Sequence, residues 1–515
     1  MKRVFLILVG IVAIAIAGMF IFRQQFVRAQ HEEIAELLPE EALGLFLEFP
    51  HFNDSMEELF EKNPFFSHFS RENLEKVLPE DTWRDLESIL NDPYFSDQRK
   101  RRRMFNEQIV LAGYYQEDDE YGGLLGIRGA FEPAEYYALV TGMKFLQDEG
   151  FLIKEYEGEN YFEGIISFDS DFHPLSKEEQ TRLYLFNLKN CFFISNSENL
   201  VKTILDFQKD IRNPISENEL FAKNKTYRLD RDIIGWGFSK DILGKVSEFR
   251  SFSYDDTLQS IKVSEMPVKA PAHNFETLAD YYRPESLISK LDANSNYQLV
   301  EAYLERYLPM MGAAVDEFEF QPWLNFIQNN WDSGYLMDLD ARFDVDIDFS
   351  LSLLFPLKEN VDVRILDELA ELIEPLELSY FWNENELVLG DGEIMSRINI
   401  YFDDKDQLLG MYFASKPEKT GYADLLREDL LEVREQYGLQ GVPAGANHLN
   451  GEALNMLYEQ VKVFFTFLVF MDPTIQPRIE FIGKLVNSID HISGYSFYIE
   501  DPGPAMENIT YFKSK

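Results

Sequence analysis

Cysteine is almost absent. Cys191, in KNCFFIS, is the single one, so an intramolecular disulfide and a cysteine-based zinc site are both excluded. Its apolar setting reads as a buried, inert thiol rather than a nucleophile. Cations are scarce too. There are 48 lysines and arginines against 90 aspartates and glutamates, a formal charge of −42. Such a surface repels nucleic acid and anionic lipid headgroups, so nucleic acid is not an expected partner. Catalytic signatures are missing. The histidines form no HExxH, and GxSxG, Walker A and GxGxxG do not occur. IGWGFSKDILGK has glycines and a lysine at the wrong spacing for a phosphate loop, and reads as a strand running into a helix. Acids are so common that naming any two as acid and base carries no information. No cofactor is implied.

Long apolar runs are rare, with one exception. Val4–Phe22, VFLILVGIVAIAIAGMFIF, holds no charge and no proline. At about 1.5 Å per residue it reaches roughly 28 Å, close to the thickness of a bilayer core. The run is longer than the apolar stretch of a typical cleaved signal peptide. Residues 1–30 therefore read as a retained signal anchor, with the membrane as partner through residues 4–22. Cleavage near Val27-Arg28-Ala29 is the alternative. Lys2 and Arg3 on one flank nearly balance Arg23 and Arg28 on the other. A basic start before an apolar run favours the inside for the N-terminus. That places a single-pass protein in the inner membrane, its large domain in the periplasm or outside; a cytoplasm-facing domain is the runner-up. Val461–Met471 is the next most apolar run, too short to cross, and reads as a buried or interfacial helix segment.

The remainder has 15% aromatic residues, ample for large cores. Hairpins are expected at Glu157–Asn160, at Lys189-Asn190, at Asn383–Asn385 and at Asp403–Asp406. Helices are expected at Glu132–Gln147, at Ser197–Gln208 with Ser197 as cap, at Val363–Leu376 and at Tyr422–Tyr437. Strands, helix, hairpin, hairpin, helix thus occur twice, a candidate structural duplication. The fold class read from this is α+β: an N-terminal transmembrane helix followed by two units of antiparallel sheet plus helices. The expected divisions are 1–30, a first unit over 31–250, a connector with helices over 251–335 and a second unit over 336–515. Ser251–Asn296 reads as loop-rich surface.

Asp338–Phe355, DLDARFDVDIDFSLSLLF, alternates polar and apolar residues. It reads as one long strand with Asp344, Asp346 and Asp348 on one face. Side chains two apart stand about 7 Å from one another, too far for three to close on one ion unaided. An EF-hand would need glycine at the sixth loop position and glutamate at the twelfth; Phe349 and Phe355 stand there. A solvated sheet face is the stronger reading, and a metal shared with a neighbouring strand is the alternative. Millimolar calcium is accordingly expected to leave the melting temperature unchanged.

Arg99, Lys100, Arg101, Arg102 and Arg103 form the one basic block. They read as pairing with the chain's own acids; a docking patch for an acidic partner or lipid headgroup is the functional alternative.

LLPEEALGLFLEFPHFNDSMEELFEKNPFF, RLYLFNLKNCFFISNSENLVKTIL, GWGFSKDIL and HISGYSFYIEDPGPAMENITYF together resemble a bacterial family of membrane-anchored exported proteins of unknown function. The resemblance implies an anchored, exported protein and brings no catalytic residues. The expected function is non-enzymatic binding or scaffolding in the bacterial envelope, with a protein or apolar ligand as partner. A carrier of lipid is the first alternative, and an envelope hydrolase without a recognisable motif is the second.

Overall fold

Turn chemistry sets many strand boundaries. In this computed structural model, Glu157 and Gly158 both take positive φ, 51° and 93°. That is the backbone of a two-residue hairpin turn whose twist matches its flanking strands. Lys189 and Glu384 adopt positive φ at two further hairpins. The structure describes residues 33–515 except for internal segments, the longest being 130–151, 169–178, 219–232 and 308–319. The expected anchor at 4–22 and the expected helix at 132–147 lie outside the described residues. Among those described, no helix is long and apolar enough to cross a membrane.

The described chain divides into two units. The first comprises residues 1–58 and 84–253. Its strands are β1 (Leu43–Pro50), β2 (Gln108–Tyr115), β3 (Tyr121–Arg128), β4 (Leu152–Tyr156), β5 (Glu159–Phe168), β6 (Glu179–Leu188), β7 (Cys191–Ser195), β8 (Ile233–Lys240) and β9 (Ser247–Asp255). These strands pair antiparallel, in the order β9-β8-β1-β2-β3-β7-β6-β5-β4. One face carries Phe46, Val110, Leu124, Phe193 and Trp236, all buried. The Phe46 ring lies 5.5 Å from Phe238 and 5.6 Å from Trp236. Each such side chain stabilises the fold by about 1.5–3 kcal/mol through burial. Helix Glu198–Phe207 buries Leu200, Val201, Ile204 and Leu205 and begins at Ser197, whose Oγ accepts from Leu200 N at 3.3 Å. Cys191 is buried, as its apolar context implied.

The second unit comprises residues 59–83 and 254–515. Its strands are β10 (Thr257–Glu265), β11 (Ile288–Asp292), β12 (Tyr335–Phe343), β13 (Ile347–Pro356), β14 (Tyr380–Asn383), β15 (Glu386–Leu389), β16 (Ile398–Asp403), β17 (Leu408–Phe413), β18 (Val442–Asn450), β19 (Ile489–Ile499) and β20 (Ala505–Ser514). Their order is β10-β20-β19-β18-β11-β12-β13-β17-β16-β15-β14, again antiparallel. The run β18-β11-β12-β13-β17-β16-β15-β14 has the same connectivity as β8-β1-β2-β3-β7-β6-β5-β4 in the first unit. Helix Ile365–Ile373 packs Ile365, Leu366, Leu369 and Ile373 against Leu387, Ile400 and Leu409. Segment 59–83 packs on the end of the chain. Phe65 lies 5.0 Å from Phe512 and Phe69 lies 5.4 Å from Phe481. Arg478 Nε donates to the Val77 carbonyl at 3.1 Å.

The fold is α+β with large antiparallel sheets, as expected. Two local readings change. The stretch Ser251–Asn296 contains β10 and β11, and β10 pairs with β20 at the far end of the chain, a partner local composition does not reveal. Asp338–Phe355 is a hairpin, not one strand: Leu336 pairs with Leu354 and Arg342 with Asp348. The connection spans the three residues 344–346, an odd number, so alternation keeps its phase through the turn and reads as unbroken.

Candidate functional site

β12 and β13 bring their even-numbered residues to one sheet face. Asp338 stands opposite Ser352 and Asp340 opposite Ser350. These four line a cleft of about 370 Å³ together with Arg283, Ser286 and Ser415. Its far wall, residues 283–286, follows the short helix Phe275–Ala279 and is tied down from elsewhere in the unit. Tyr281 donates its hydroxyl to Asp406 at 2.6 Å, and Thr420 N and Oγ1 donate to the Asp280 carbonyl at 2.7 and 3.0 Å. Ala414 holds φ of 70° just past β17 and turns Ser415 toward Ser350; the two hydroxyl oxygens lie 2.7 Å apart.

Asp338 is the unusual member, with only 5% of its surface exposed. Its Oδ1 accepts from Ser289 Oγ on the neighbouring β11. Its Oδ2 is buried and, among the described residues, has no hydrogen-bond partner. Burial pushes the Asp338 carboxyl up to about 7; the Ser289 hydrogen bond and the charge of Arg283 oppose this, and Glu285 and Asp340 reinforce it. A buried carboxylate oxygen without a donor costs about 1–3 kcal/mol or more, so this arrangement requires a reason.

The site belongs to a wider polar row. By register, Ser493, His448, Ser289, Asp338, Ser352 and Tyr412 stand side by side across six strands. His448 Nδ1 lies 2.9 Å from Ser493 Oγ, and its pKa is lowered, first by burial and then by the neighbouring His491. Facing side chains in one row interact directly.

Chemically, the cleft offers a carboxyl that takes up or releases a proton near neutrality, a second carboxylate and several hydroxyls. It lacks an activated nucleophile. Ser289 is fully buried, and Ser350 and Ser415 pair with each other. Among the described residues, no group of three or more His, Cys, Asp or Glu could hold a metal ion. Of the acids singled out in the sequence, Asp344 and Asp346 lie outside the described residues, and Asp348 sits in β13 opposite Arg342.

The basic block lies on helix Gln98–Phe105 of the first unit. Arg102 pairs with Asp54 Oδ1 at 2.9 Å and Glu57 Oε2 at 3.2 Å. The Arg99 backbone N–H donates to Asp97 at 2.9 Å, and Arg103 is exposed. Lys100 and Arg101 lie on the same helix.

A second concavity, of about 410 Å³, lies on the first unit's sheet. Leu45, Leu47, Phe49, Gly237 and Phe252 line it, with Glu248 and Arg250 alongside. A Cβ on Gly237 would meet the Phe46 carbonyl oxygen at 2.1 Å, so only glycine lets β1 and β8 approach there. The groove continues into the cross-strand row Leu47, Leu111, Leu125, Ile194 and Leu185. Leu111 is 39% exposed.

Sequence reasoning singled out the strand bearing Asp338 but not the wall opposite it. Arg283 and Ser286 stand in YYRPES, which carries no local signal of a site.

No protein-family model matches the chain, and no curated protein does. A solved structure titled "Structure of crystal form I of TP0453" is similar at a TM-score of 0.19 and 11% identity, covering 70% of this chain and 92% of that one.

Proposed function

We propose that this chain is a non-enzymatic binding protein of the bacterial envelope, and that the Asp338 cleft holds a small polar ligand. In this reading residues 4–22 anchor it in the inner membrane as a single pass, with both units in the periplasm or outside. One observation carries the binding role: Asp338, almost fully buried and with one carboxylate oxygen lacking a donor among the described residues, lines a cleft walled by hydroxyls. Buried polar atoms are rarely left unpaired, and each exception calls for an explanation, of which a bound ligand is one. Among the described residues no cleft serine donates a hydrogen bond to a carboxylate or histidine, which favours binding over an envelope hydrolase. The repeated strand order supports duplication as the origin of the two units.

The first unit's groove favours a second reading, a carrier of an apolar ligand, because leucines and phenylalanines predominate in its lining. Native mass spectrometry on the full chain, purified gently from its host, separates the two. A small adduct lost in an Asp338→Asn variant is the expected result. An adduct of lipid mass, removed by organic extraction and retained in that variant, would favour the carrier. A bare polypeptide mass under both conditions counts against both.

A further inference from the structure

We propose that the end of helix Gly451–Met471, with the turn that follows it, is a second membrane contact: a shallow tip that enters the surface of a zwitterionic bilayer. The helix changes character along its length. Its first turns pack in the ordinary way. Ala453 is buried against Leu287, Leu454 and Leu457 pack beside it, and the Tyr458 hydroxyl donates to the Ile479 carbonyl at 2.7 Å. After Lys462 the sequence is VFFTFLVFM, without a charge. There Leu468 is 46% exposed, Met471 70% and Phe470 85%. Large apolar side chains grouped and exposed in this way mark an interaction surface.

The distribution of these side chains identifies the partner. Successive helical residues point about 100° apart, so Leu468, Val469, Phe470 and Met471 cover the perimeter of the last turn. Three are exposed and Val469 is half-buried. A helix that docks in a protein groove offers one apolar stripe and keeps a polar face outside. Apolar side chains on every side suit a medium that surrounds the helix end, and acyl chains are such a medium.

Polar groups set the depth. The turn closes on itself: the Asp472 N–H donates to the Leu468 carbonyl at 2.8 Å, and Asp472 Oδ1 accepts from Thr474 N at 3.0 Å and from Thr474 Oγ1 at 2.6 Å. Backbone groups already paired at a helix end cost less to take out of water. Asp472 is ionised at neutral pH and stays with the headgroups, which limits insertion to about 5–10 Å. Lys462, paired with Glu459, lies about 14 Å up the helix from Met471 and remains in water.

Charge chooses the lipid. A formal charge of −42 repels anionic headgroups and leaves zwitterionic ones. Residues 4–22 supply the bilayer. Residues 23–32, between that run and the described chain, reach at most about 35 Å, so an anchored chain meets the surface at high local concentration and weak insertion is enough. This supply rests on the anchor reading above; the chemistry of the tip does not.

The test places a bimane fluorophore on M471C in the full chain, reconstituted in phosphatidylcholine vesicles; the native Cys191 is buried. The emission should shift to the blue and escape quenching by aqueous iodide. Lipids with a nitroxide near the headgroup end of the acyl chain should quench it more than lipids with one near the methyl end. The same label on E452C, an exposed position at the start of the helix, should be quenched by iodide alone. F470S should reduce lipid quenching of the M471C label severalfold and leave the melting temperature within error; a side chain with only a structural role would lower that temperature. An M471C label open to iodide, on chains that float with the vesicles, would overturn the tip and leave the anchor standing. The same label on chains that do not float would remove both. Shielding from iodide without lipid quenching, growing with protein concentration, would show a second copy as the cover and overturn the proposal.

Discussion

The two units have the same eight-strand order and opposite centres. In the first, the central strands β1, β2, β3 and β7 bury Phe46, Val110, Leu124 and Phe193. In the second, the corresponding β11, β12 and β13 bury Ser289, Asp338 and Ser352. One sheet is mainly apolar at its middle, although Glu48, Gln108 and Ser195 are also buried on its central strands; the other holds a polar row and a cleft. Connectivity alone therefore does not decide what a sheet of this kind does. An apolar middle suffices to hold the architecture, so the polar row in the second unit is not required by it, and polar groups buried against stability are where function is written on a shared scaffold.

The comparison breaks most sharply by exchange. Val110→Asp puts an unpaired carboxyl into the apolar centre and is expected to cost about 3–5 kcal/mol, read from urea denaturation at pH 8. Asp338→Val should be neutral or gain about 1 kcal/mol under the same conditions, because the burial cost it removes exceeds the loss of the Ser289 hydrogen bond.

pH sharpens the contrast next. Burial raises the Asp338 carboxyl from its ordinary 3.8 to about 7. Between those values the native state holds the proton and the unfolded state does not. Stability therefore falls as pH rises from about 4 to 7 and levels off above, by up to about 4 kcal/mol. Subtracting the profile of Asp338→Asn from that of the parent isolates this slope; a flat difference between pH 4 and 7 would refute it. Glu198 in the first unit has the opposite sign. The Tyr161 hydroxyl at 2.7 Å, then Lys202 and Lys154, hold its carboxyl down to about 2. Its contribution is full above about 4.5 and disappears as pH falls toward 2. Tyr161→Phe should reduce it by about 1 kcal/mol, a modest figure because Glu198 is partly solvated. The smallest effect is expected at Arg102. Its side chain is 52% exposed, so Arg102→Ala should change stability by less than about 1 kcal/mol in thermal melts, and less still in high salt.

Much of this architecture is legible in the chain. Glu157-Gly158 and Lys189 announce their hairpins, and Ser197 caps its helix as its position implies. These signals are local, and backbone chemistry acts locally. The hairpin inside Asp338–Phe355 is not legible, because a three-residue connection leaves the alternation undisturbed. The site is half legible. Asp338 and Asp340 share a face, as alternation dictates, but burial on that face is uneven: Asp338 and Ser352 are covered and Asp340 only partly. The cover comes from residues 283–286, held in place by Asp406 and Thr420. A sheet face becomes a cleft only when a distant segment closes over it, and no window of sequence around Asp338 contains that segment.

The position of residues 59–83 has a consequence in time. This segment leaves the ribosome early, yet Val77 finds Arg478 across a separation of 401 residues. At about 5–20 residues per second, translation separates the two by roughly 20–80 s. During that interval Phe65, Phe66 and Phe69 have neither Phe481 nor Phe512 to meet. The second unit cannot finish folding while these partners are still to be made, so in newborn molecules the cluster has only its own rings to pack against until translation nears its end.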